Sequence, residues 1–360
     1  MSSYTIPIGP LHVALEEPIY FKLNVEGETV VGVDINAGHV HRGIEFLAMQ
    51  RNYYQVLTLV ERVCSLCSNN HPFTYCMAIE KIAQIEIPER AEYLRVITDE
   101  IKRIASHMFN VGIIAHNIGF DSFFMHLMEL REVMQDVKES IFGNRMNLSA
   151  NCIGGVRYDI EQDQIKYILR QLDSLKKPLE EAIKIYKTNS SICRRTVGVG
   201  VLPKDKAISY GVVGPVARAS GLDLDVRVNT PYAAYDKVKV NIVTEQGGDA
   251  HSRAVVRLRE IVESIRIVEE CIKNLPDGPV DLGIMPTIPV GESIAKSEAP
   301  RGELIYYARS NGSEIPERLK WRVPTYQNWE ALTVMMKGCK IADVPVIVGS
   351  IDPCVSCTER

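Results

Sequence analysis

The sequence predicts a mainly α-helical protein with small β elements, organised around a central bundle of long antiparallel helices. Apolar residues recur at alternating spacings of three and four in several long segments, which is the period of one buried helix face. Of the 360 residues, 46% are hydrophobic, which is enough for a large core. The chain contains no internal repeat and no low-complexity linker, so we expect a single domain over residues 1–360.

The helical spacing marks four segments. They run from Leu94 to Val111, from Phe124 to Ile141, from Ile165 to Tyr186 and from Leu258 to Leu275. We therefore place the long helices of the bundle within residues 88–190 and 250–275, and we interpret their apolar stripes as core rather than as a cofactor site.

The segments outside the bundle carry turn and strand signals. Residues 1–50 include a predicted β-hairpin, because apolar and polar residues alternate on both sides of the turn-prone Glu26-Gly27-Glu28. Residues 196–249 are rich in Gly, Pro and Val, which predicts loops and short strands. Residues 276–360 are expected to be irregular, since five prolines exclude a long helix before Arg301.

Composition excludes several classes of function. The formal charge of −4 comes from interspersed acids and bases, without the basic block that nucleic-acid binding requires. No segment has the roughly 18 uncharged apolar residues of a membrane helix, and the start of the chain does not resemble a signal peptide. We expect the chain on the cytoplasmic side of the cell.

Four of the nine cysteines form two C-x-x-C pairs, Cys64 with Cys67 and Cys354 with Cys357. The other five stand alone and are expected to be inert buried thiols. A C-x-x-C spacing brings two sulfurs to one side of a turn, so two such pairs can offer four thiolates to one soft metal centre.

A structural Cys₄ zinc protein is the plainest alternative. Against it, nearly the whole chain separates the two pairs, and a chain of this length with four long helices does not need zinc in order to fold. A histidine, an arginine and acidic residues also surround the motifs, which indicates that protons and polar ligands are handled there.

The motifs around the cysteines resemble those of nickel–iron hydrogenase large subunits. The first is R-x-C-x-x-C-x-x-x-H, from Arg62 to His71, and the second is D-P-C-x-x-C-x-x-R, from Asp352 to Arg360. The similarity extends over essentially the whole chain and is strongest to the membrane-bound, energy-converting branch (Ech type), which is itself related to the 49-kDa-type subunit of complex I. Further matching segments are residues 9–12, 41–45, 195–198, 220–221, 231–236 and 299–303.

This kinship supplies a second alternative, a complex I-like quinone-site subunit without hydrogenase activity. Complex I subunits share the segments at residues 9–12, 41–45 and 195–198 but have lost the cysteine pairs. Here all four cysteines are present. The resemblance therefore implies a catalytic subunit that interconverts H₂ with protons and electrons.

The resemblance also implies a metal centre. Nickel would be bound by all four thiolates, with Cys64 and Cys354 as terminal ligands and Cys67 and Cys357 bridging to an iron that carries CO and CN⁻. The same resemblance assigns the polar groups around it. Pro300, Arg301 and Ser350 would surround the diatomic ligands, His71 would donate to a bridging sulfur, Cys354 or Cys357 would accept the proton, and Glu17 would be the first relay carboxylate.

The last residue, Arg360, departs from the pattern of soluble relatives. There, the glutamate that corresponds to Glu45 binds a second divalent cation together with a terminal histidine. A guanidinium cannot ligate a metal but pairs well with a carboxylate. We therefore predict that Arg360 stands in the place of the cation and pairs with Glu45; if buried, the pair would cost several kcal/mol to break from one side.

Electrons must leave the site through partners. The remaining cysteines lack the spacing of an iron–sulfur cluster, so we expect no cluster in this chain and an iron–sulfur small subunit beside it. From the family alone we expect membrane ion-translocating subunits, ferredoxin as electron carrier, and a peripheral position on the cytoplasmic face of the membrane.

Overall fold

A computed structural model describes residues 3–360 of the chain. The strands are β1 (Ser3–Ile8), β2 (Tyr20–Glu26), β3 (Thr29–Asn36), β4 (Asn151–Cys152), β5 (Gly155–Val156), β6 (Val290–Ala299), β7 (Gly302–Asn311) and β8 (Arg318–Arg322). The helices are α1 (Ile44–Ala48), α2 (Tyr53–Glu61), α3 (Asn70–Ala83), α4 (Glu89–Asn117), α5 (Asp121–Phe142), α6 (Gln162–Thr188), α7 (Ser190–Thr196), α8 (Lys204–Ser209), α9 (Gly214–Ala219), α10 (Val226–Asn229), α11 (Ala250–Lys273), α12 (Pro324–Asn328), α13 (Ala331–Met336), α14 (Val344–Ile351) and α15 (Val355–Glu359).

The four longest helices, α4, α5, α6 and α11, form the central bundle, as the apolar stripes predict. Helix α4 begins directly after Pro88, whose fixed φ favours the first turn of a helix, and packs against α5 and α11. Beyond its first turn, nearly the whole circumference of α4 is buried, including the charged residues from Arg95 to Arg103, so its polar face lies inside the protein. The prediction of a mainly α fold with small β elements is confirmed.

The N-terminal sheet has the order β1-β2-β3 and is antiparallel throughout. The predicted hairpin is β2 and β3, which turn at Gly27, where φ is 60°. Strand β1 was not predicted from the sequence, because its side chains are mostly exposed and it is stabilised by pairing with β2.

The prediction of an irregular segment over residues 276–360 is wrong in its middle part. Strands β6, β7 and β8 form an antiparallel sheet there, followed by α12 to α15. Four of the five prolines precede β6, and Pro300 lies in the tight turn between β6 and β7, where a missing N–H breaks no ladder bond. That turn carries Arg301.

The segment 196–249 contains short helices and a 3₁₀ turn at Ala233–Asp236, and in the described chain it contributes no strand to a sheet. The expectation of short strands there is therefore wrong. Valine favours strands only where a neighbouring strand is available, whereas a proline and an aspartate, Pro203 and Asp225, stand at the N-caps of α8 and α10 and start helices instead. Within residues 3–360, none of the helices combines the length and the apolar character needed to span a membrane.

Candidate metal centre

Both cysteine pairs lie where a loop enters a helix. Cys64 and Cys67 occupy the connection between α2 and α3, and Cys354 is the N-cap residue of α15. The carbonyl of Cys67 accepts the N–H of His71 at 3.4 Å, and that of Cys354 accepts the N–H of Thr358 at 3.2 Å. The start of a helix presents unpaired N–H groups, which favour the thiolate form of a nearby cysteine.

The fold brings the two pairs together. The sulfurs of Cys64, Cys354 and Cys357 lie within 4.8 Å of one another and all three residues are buried. The thiol of Cys67 hydrogen-bonds to Cys64 in the same cluster. Within residues 3–360, no second group of three histidine, cysteine or acidic side chains is arranged this closely.

The pKa values of the clustered cysteine thiols indicate which kind of group the cluster can bind. Thiol donation from Cys354, Cys357 and Cys67 lowers the pKa of Cys64 well below its usual range, whereas burial raises the pKa of Cys357. Four buried sulfurs therefore cannot all ionise unless cations replace their protons. Soft thiolates at this spacing suit nickel and iron, and the donor set fits a nickel–iron centre.

Asp352, two residues before Cys354, holds the Arg301 side chain beside the cysteine cluster. Nε of Arg301 donates to the carbonyl of Asp352 at 2.9 Å and its Nη2 to Oδ1 of Asp352 at 2.7 Å. The remaining terminal nitrogen, Nη1, lies 3.3 Å from the sulfur of Cys67. Pro300 is buried immediately before it. The turn between β6 and β7 thus presents a fixed cation to the first cysteine pair.

His71 contacts the second pair. Its Nε2 lies 3.3 Å from the sulfur of Cys357, and its Nδ1 lies 2.7 Å from the hydroxyl of Tyr306 on β7. Burial lowers the pKa of His71 to about 4, so the ring is neutral at physiological pH. A Cys357 thiolate can only accept a hydrogen bond, so with the thiolate form the ring proton is on Nε2 and Nδ1 accepts the Tyr306 hydroxyl.

A cleft of about 320 Å³ leads from the surface to the cluster and is bordered by Glu16, Glu17, Cys64, Arg301 and Cys354. The two cysteines that line it are the ones that the family resemblance makes terminal ligands. Cys67 and Cys357, the expected bridging ligands, do not border the cleft and contact Arg301 and His71 instead.

Two adjacent carboxylates lie in this cleft. Glu17 accepts hydrogen bonds from the backbone N–H groups of Val355 and Ser356 at the start of α15, and from the Ser356 hydroxyl. Glu16 is exposed as a residue, but protein atoms surround its carboxyl group. That burial, together with the negative charge of Asp352, raises the pKa of Glu16 to about 7.

Ser350 does not contact the cysteines. Its hydroxyl accepts from Nε of Arg253 at 2.9 Å and donates to the carbonyl of Ile347 at 2.7 Å, and the residue is fully buried on α14. Its assignment to the cyanide ligands stays a prediction.

The C-terminal residue lies beside the N-terminal half. Nε of Arg360 is 2.8 Å from Oε1 of Glu45, and the two side chains are 21% and 20% exposed. The pair is mostly buried but reaches solvent, so the cost of breaking it from one side lies between that of an exposed pair, about 1 kcal/mol, and the several kcal/mol expected for full burial.

Sequence reasoning missed several residues of the site. Asp352 was seen only as part of a motif, and Glu16, Lys102 and Tyr306 were not singled out at all. The acid before Glu17 was a visible signal, whereas nothing local marks Tyr306, which is 235 positions from His71. Three of the solitary cysteines, Cys152, Cys193 and Cys339, are only partly buried, contrary to expectation.

A helical bundle that closes four cysteines from both ends of the chain into one buried cluster defines a thiolate metalloprotein. The family described as nickel-dependent hydrogenase matches residues 42–111, and the family described as the 49-kDa subunit of respiratory-chain NADH dehydrogenase matches residues 117–287 and 283–360.

Relatives match over the full length. The chain is 60% identical to the carbon monoxide-induced hydrogenase of Rhodospirillum rubrum, covering 100% of both chains. It is 40% identical to the alpha subunit of the membrane-bound hydrogenase of Pyrococcus furiosus, covering 99% of this chain and 87% of the relative. It is also 37% identical to a subunit of the NADH-quinone oxidoreductase of Dehalococcoides mccartyi, over 97% and 96% of the two chains.

A chain from the solved structure of the membrane-bound sulfane sulfur reductase, an archaeal respiratory membrane complex, superposes with a TM-score of 0.94 at 30% identity, covering 99% of this chain and 98% of that one. The chain belongs to the large subunits of membrane-bound nickel–iron hydrogenases of Ech type, a family related to the 49-kDa subunit of complex I. The family prediction made from the motifs is confirmed.

Proposed function

We propose that the chain catalyses the interconversion of H₂ with protons and electrons at a nickel–iron centre held by Cys64, Cys67, Cys354 and Cys357. The observation that carries the proposal is the convergence of both cysteine pairs in one buried cluster at the end of an open cleft. When bound, the centre supplies the heterolytic cleavage of H₂, with CO and CN⁻ as ligands of its iron.

The residues around the cluster would orient and polarise the centre. Arg301 holds a positive charge against the Cys67 sulfur, and the neutral His71 directs an N–H at the Cys357 sulfur. Such hydrogen bonds fix the sulfurs and reduce the electron density on them. Pro300, next to Arg301, and Ser350 are proposed from the family resemblance alone as the environment of the diatomic ligands.

Proton transfer would use the cleft. Of the two cysteines proposed to accept the proton, Cys354 borders the cleft that Glu17 also lines, and Glu17 accepts hydrogen bonds from the first turn of α15. Glu16 is the next carboxylate in the same cleft, and a pKa of about 7 suits a group that must both take up and release a proton.

Electron transfer and location follow from the relatives. Two of them are named as parts of membrane-bound enzymes, so we propose that this chain works with membrane ion-translocating subunits and with an iron–sulfur small subunit that carries the nearest cluster. Ferredoxin as electron carrier and a peripheral position on the cytoplasmic face of the membrane complete the proposal.

The quinone-site alternative is supported by the match to a component of NADH-quinone oxidoreductases. Four convergent buried cysteines have no use in quinone reduction, and the nickel-dependent family matches the segment that contains Cys64 and Cys67. Hydrogenase activity is therefore the better supported function.

Metal analysis combined with infrared spectroscopy of the purified complex tests the proposal. We expect nickel and iron in the chain and absorption bands of CO and CN⁻. Cys357→Ser should lose the bands, the nickel and H₂ turnover together. The control is Cys339→Ser, because the Cys339 thiol only donates to the Met335 carbonyl and a hydroxyl can do the same. Zinc without CO bands would replace the hydrogenase proposal by the zinc alternative.

A further inference from the structure

Lys102 is a buried lysine on α4 that the mechanism above does not use. It is 3% exposed, and its ammonium group donates to the Ser65 carbonyl at 3.2 Å, the Ser68 hydroxyl at 2.8 Å and the Met146 carbonyl at 2.9 Å. All three N–H bonds of the ammonium group are therefore used. Ser65 lies between the two cysteines of the first pair.

These hydrogen bonds connect three parts of the fold. The Ser68 hydroxyl in turn donates to the Met146 carbonyl at 2.7 Å, so the loop that carries Cys64 and Cys67, the loop after α5 and the centre of α4 share one set of contacts. A loop anchored by several buried hydrogen bonds holds its side chains more rigidly than an exposed loop does.

The charge of Lys102 lacks an ordinary counter-ion, because all three of its acceptors are neutral. Burial lowers the pKa of Lys102 to about 8, while the thiolates of Cys64 and Cys67 and the carboxylate of Glu61 favour its charged form. Arg131 of α5 opposes that charge, whereas burial and the charge of Lys102 lower the pKa of Lys138 to about 6. Glu61 is already engaged by Ser149 and Arg62, which leaves the cysteine pair as the principal compensating anion.

Lys102 and Arg301 thus place positive charge on two sides of the first pair. The corresponding cation at the second pair is exposed: Nη2 of Arg42 donates to the carbonyl of Ser356, between Cys354 and Cys357, at 3.1 Å, and Arg42 lies at the surface. A neutral His71 contacts Cys357, and the Glu17 carboxylate lies at the start of α15. Lys102 therefore differs from Arg42 in that its charge is buried, where solvent screens it least.

We propose that Lys102 is a positioning residue of the metal centre: its ammonium group anchors the loop between Cys64 and Cys67, and its charge compensates the thiolates of that pair and so sets the electron density on the metals. The part that concerns the metals rests on the proposed function. The anchoring of the loop does not.

The test compares Lys102→Met, which removes charge and donors at similar length, with Lys102→Arg, which retains the charge. In the purified complex, we expect the CO and CN⁻ bands of the Met variant at lower wavenumber and its midpoint potential more negative, because a nearby positive charge has been removed. The Arg variant should have CO and CN⁻ bands and a midpoint potential close to those of the wild type. Lys138→Met is the control, since Lys138 is equally buried and donates to neither cysteine loop.

A second measurement needs no metal. In chain produced without nickel, amide hydrogen exchange of residues 65–69 should be about tenfold faster in Lys102→Met, which corresponds to about 1.4 kcal/mol. Unchanged exchange would overturn the anchoring. Unchanged bands and potential, or equal shifts in Lys138→Met, would overturn the charge effect. Absence of CO bands in the wild type would refute the proposed function, while the exchange result would still decide the anchoring.

Discussion

Glu16 and Glu17 are adjacent carboxylates with different surroundings. Glu17 accepts hydrogen bonds from backbone N–H groups of the helix that carries the second cysteine pair, whereas Glu16 lines the same cleft near the charges of Asp352 and Arg301. Adjacent positions thus hold a carboxylate fixed by backbone N–H groups and a carboxylate whose pKa is raised to about 7 by burial and by the charge of Asp352.

Glu17→Gln should lower H₂ turnover by at least about 100-fold, because an amide keeps the shape of the side chain but cannot carry a proton. Nickel content and the CO bands should be retained. Hydrogen–deuterium exchange catalysed by the complex measures the effect, with the exposed Glu26→Gln as control. Unchanged turnover would remove Glu17 from the proton route.

Tyr306→Phe should lower turnover or nickel affinity by roughly 10–100-fold, the usual effect of removing a group that orients a residue contacting the metal ligands. The variant loses the O–H that fixes the tautomer of His71. The matched control is Tyr307→Phe, the next residue of β7, whose hydroxyl donates to Glu292 at the surface. Dye-linked H₂ oxidation and the infrared bands are the measurements, and equal effects of both variants would contradict the assignment.

At the scale of elements, buried ions join the helices of the bundle. Arg103 of α4 pairs with Asp99 and Glu100 of the same helix, and Arg227 of α10 reaches Glu100 at 3.0 Å. Arg218 of α9 pairs with Glu260 of α11 at 2.7 Å. Removing one partner of such a pair leaves an uncompensated buried charge, which typically costs about 3–5 kcal/mol. Helix α4 can therefore carry charges on a buried face only with these partners in place.

Asp99 gives this network a predictable pH dependence. Burial raises the pKa of Asp99 from 3.8 to about 6. Between these values the folded chain binds more protons than the unfolded chain, so this group lowers the free energy of unfolding as pH rises from about 4 to about 6. The total change is about 3 kcal/mol at most, at roughly 1.4 kcal/mol for each pKa unit.

Asp99→Asn should remove that contribution. As pH rises across this window, the wild type should lose free energy of unfolding while the variant does not. The free energy of unfolding of the variant should therefore increase relative to that of the wild type. Its amide oxygen can still accept from Asn69 and Asn70. Urea denaturation at pH 4, 5 and 6 measures the difference. A constant difference would show that Asp99 does not titrate there.

At the scale of the molecule, contacts between the N-terminal half and the C-terminal segment hold the two cysteine pairs together. The N–H of Val40 donates to Oε2 of Glu359 at 2.6 Å, and Nη2 of Arg42 donates to the carbonyls of Val63 and Ser356 at 2.7 and 3.1 Å. Arg42 thus joins the segments of both cysteine pairs. With Glu45 and Arg360, these contacts hold α15, and the pair it carries, against the N-terminal half.

Arg360→Ala should weaken nickel retention at least about fivefold, the equivalent of about 1 kcal/mol, because the pair with Glu45 is mostly buried. Nickel release during dialysis against a chelator is the measurement. Arg318→Ala serves as control, because Arg318 borders the same surface cleft as Arg360 but forms no bond to Glu45. Retention equal to that of the wild type would show that the pair does not hold α15, and Mg²⁺ bound at Glu45 would contradict the substitution of arginine for a cation.

The sequence by itself determined the long helices, the hairpin of β2 and β3 and the family. Apolar periodicity is a local property that needs only the residues of one element, and the cysteine motifs are short patterns that can be read without knowing where they meet. The prediction failed where strands depend on partners: β6, β7 and β8 are stabilised by pairing and by packing on α3, not by a local signal.

Only the tertiary structure decided how the site is surrounded. Tyr306 reaches His71 from 235 positions away, Lys102 reaches Ser65 across 37, and Glu17 reaches Ser356 across 339. Such contacts are set by how the bundle, the C-terminal sheet and the two loops pack, which no local pattern records. The four cysteines that we propose as metal ligands could therefore be named from the sequence, whereas the residues that contact them across the fold could not.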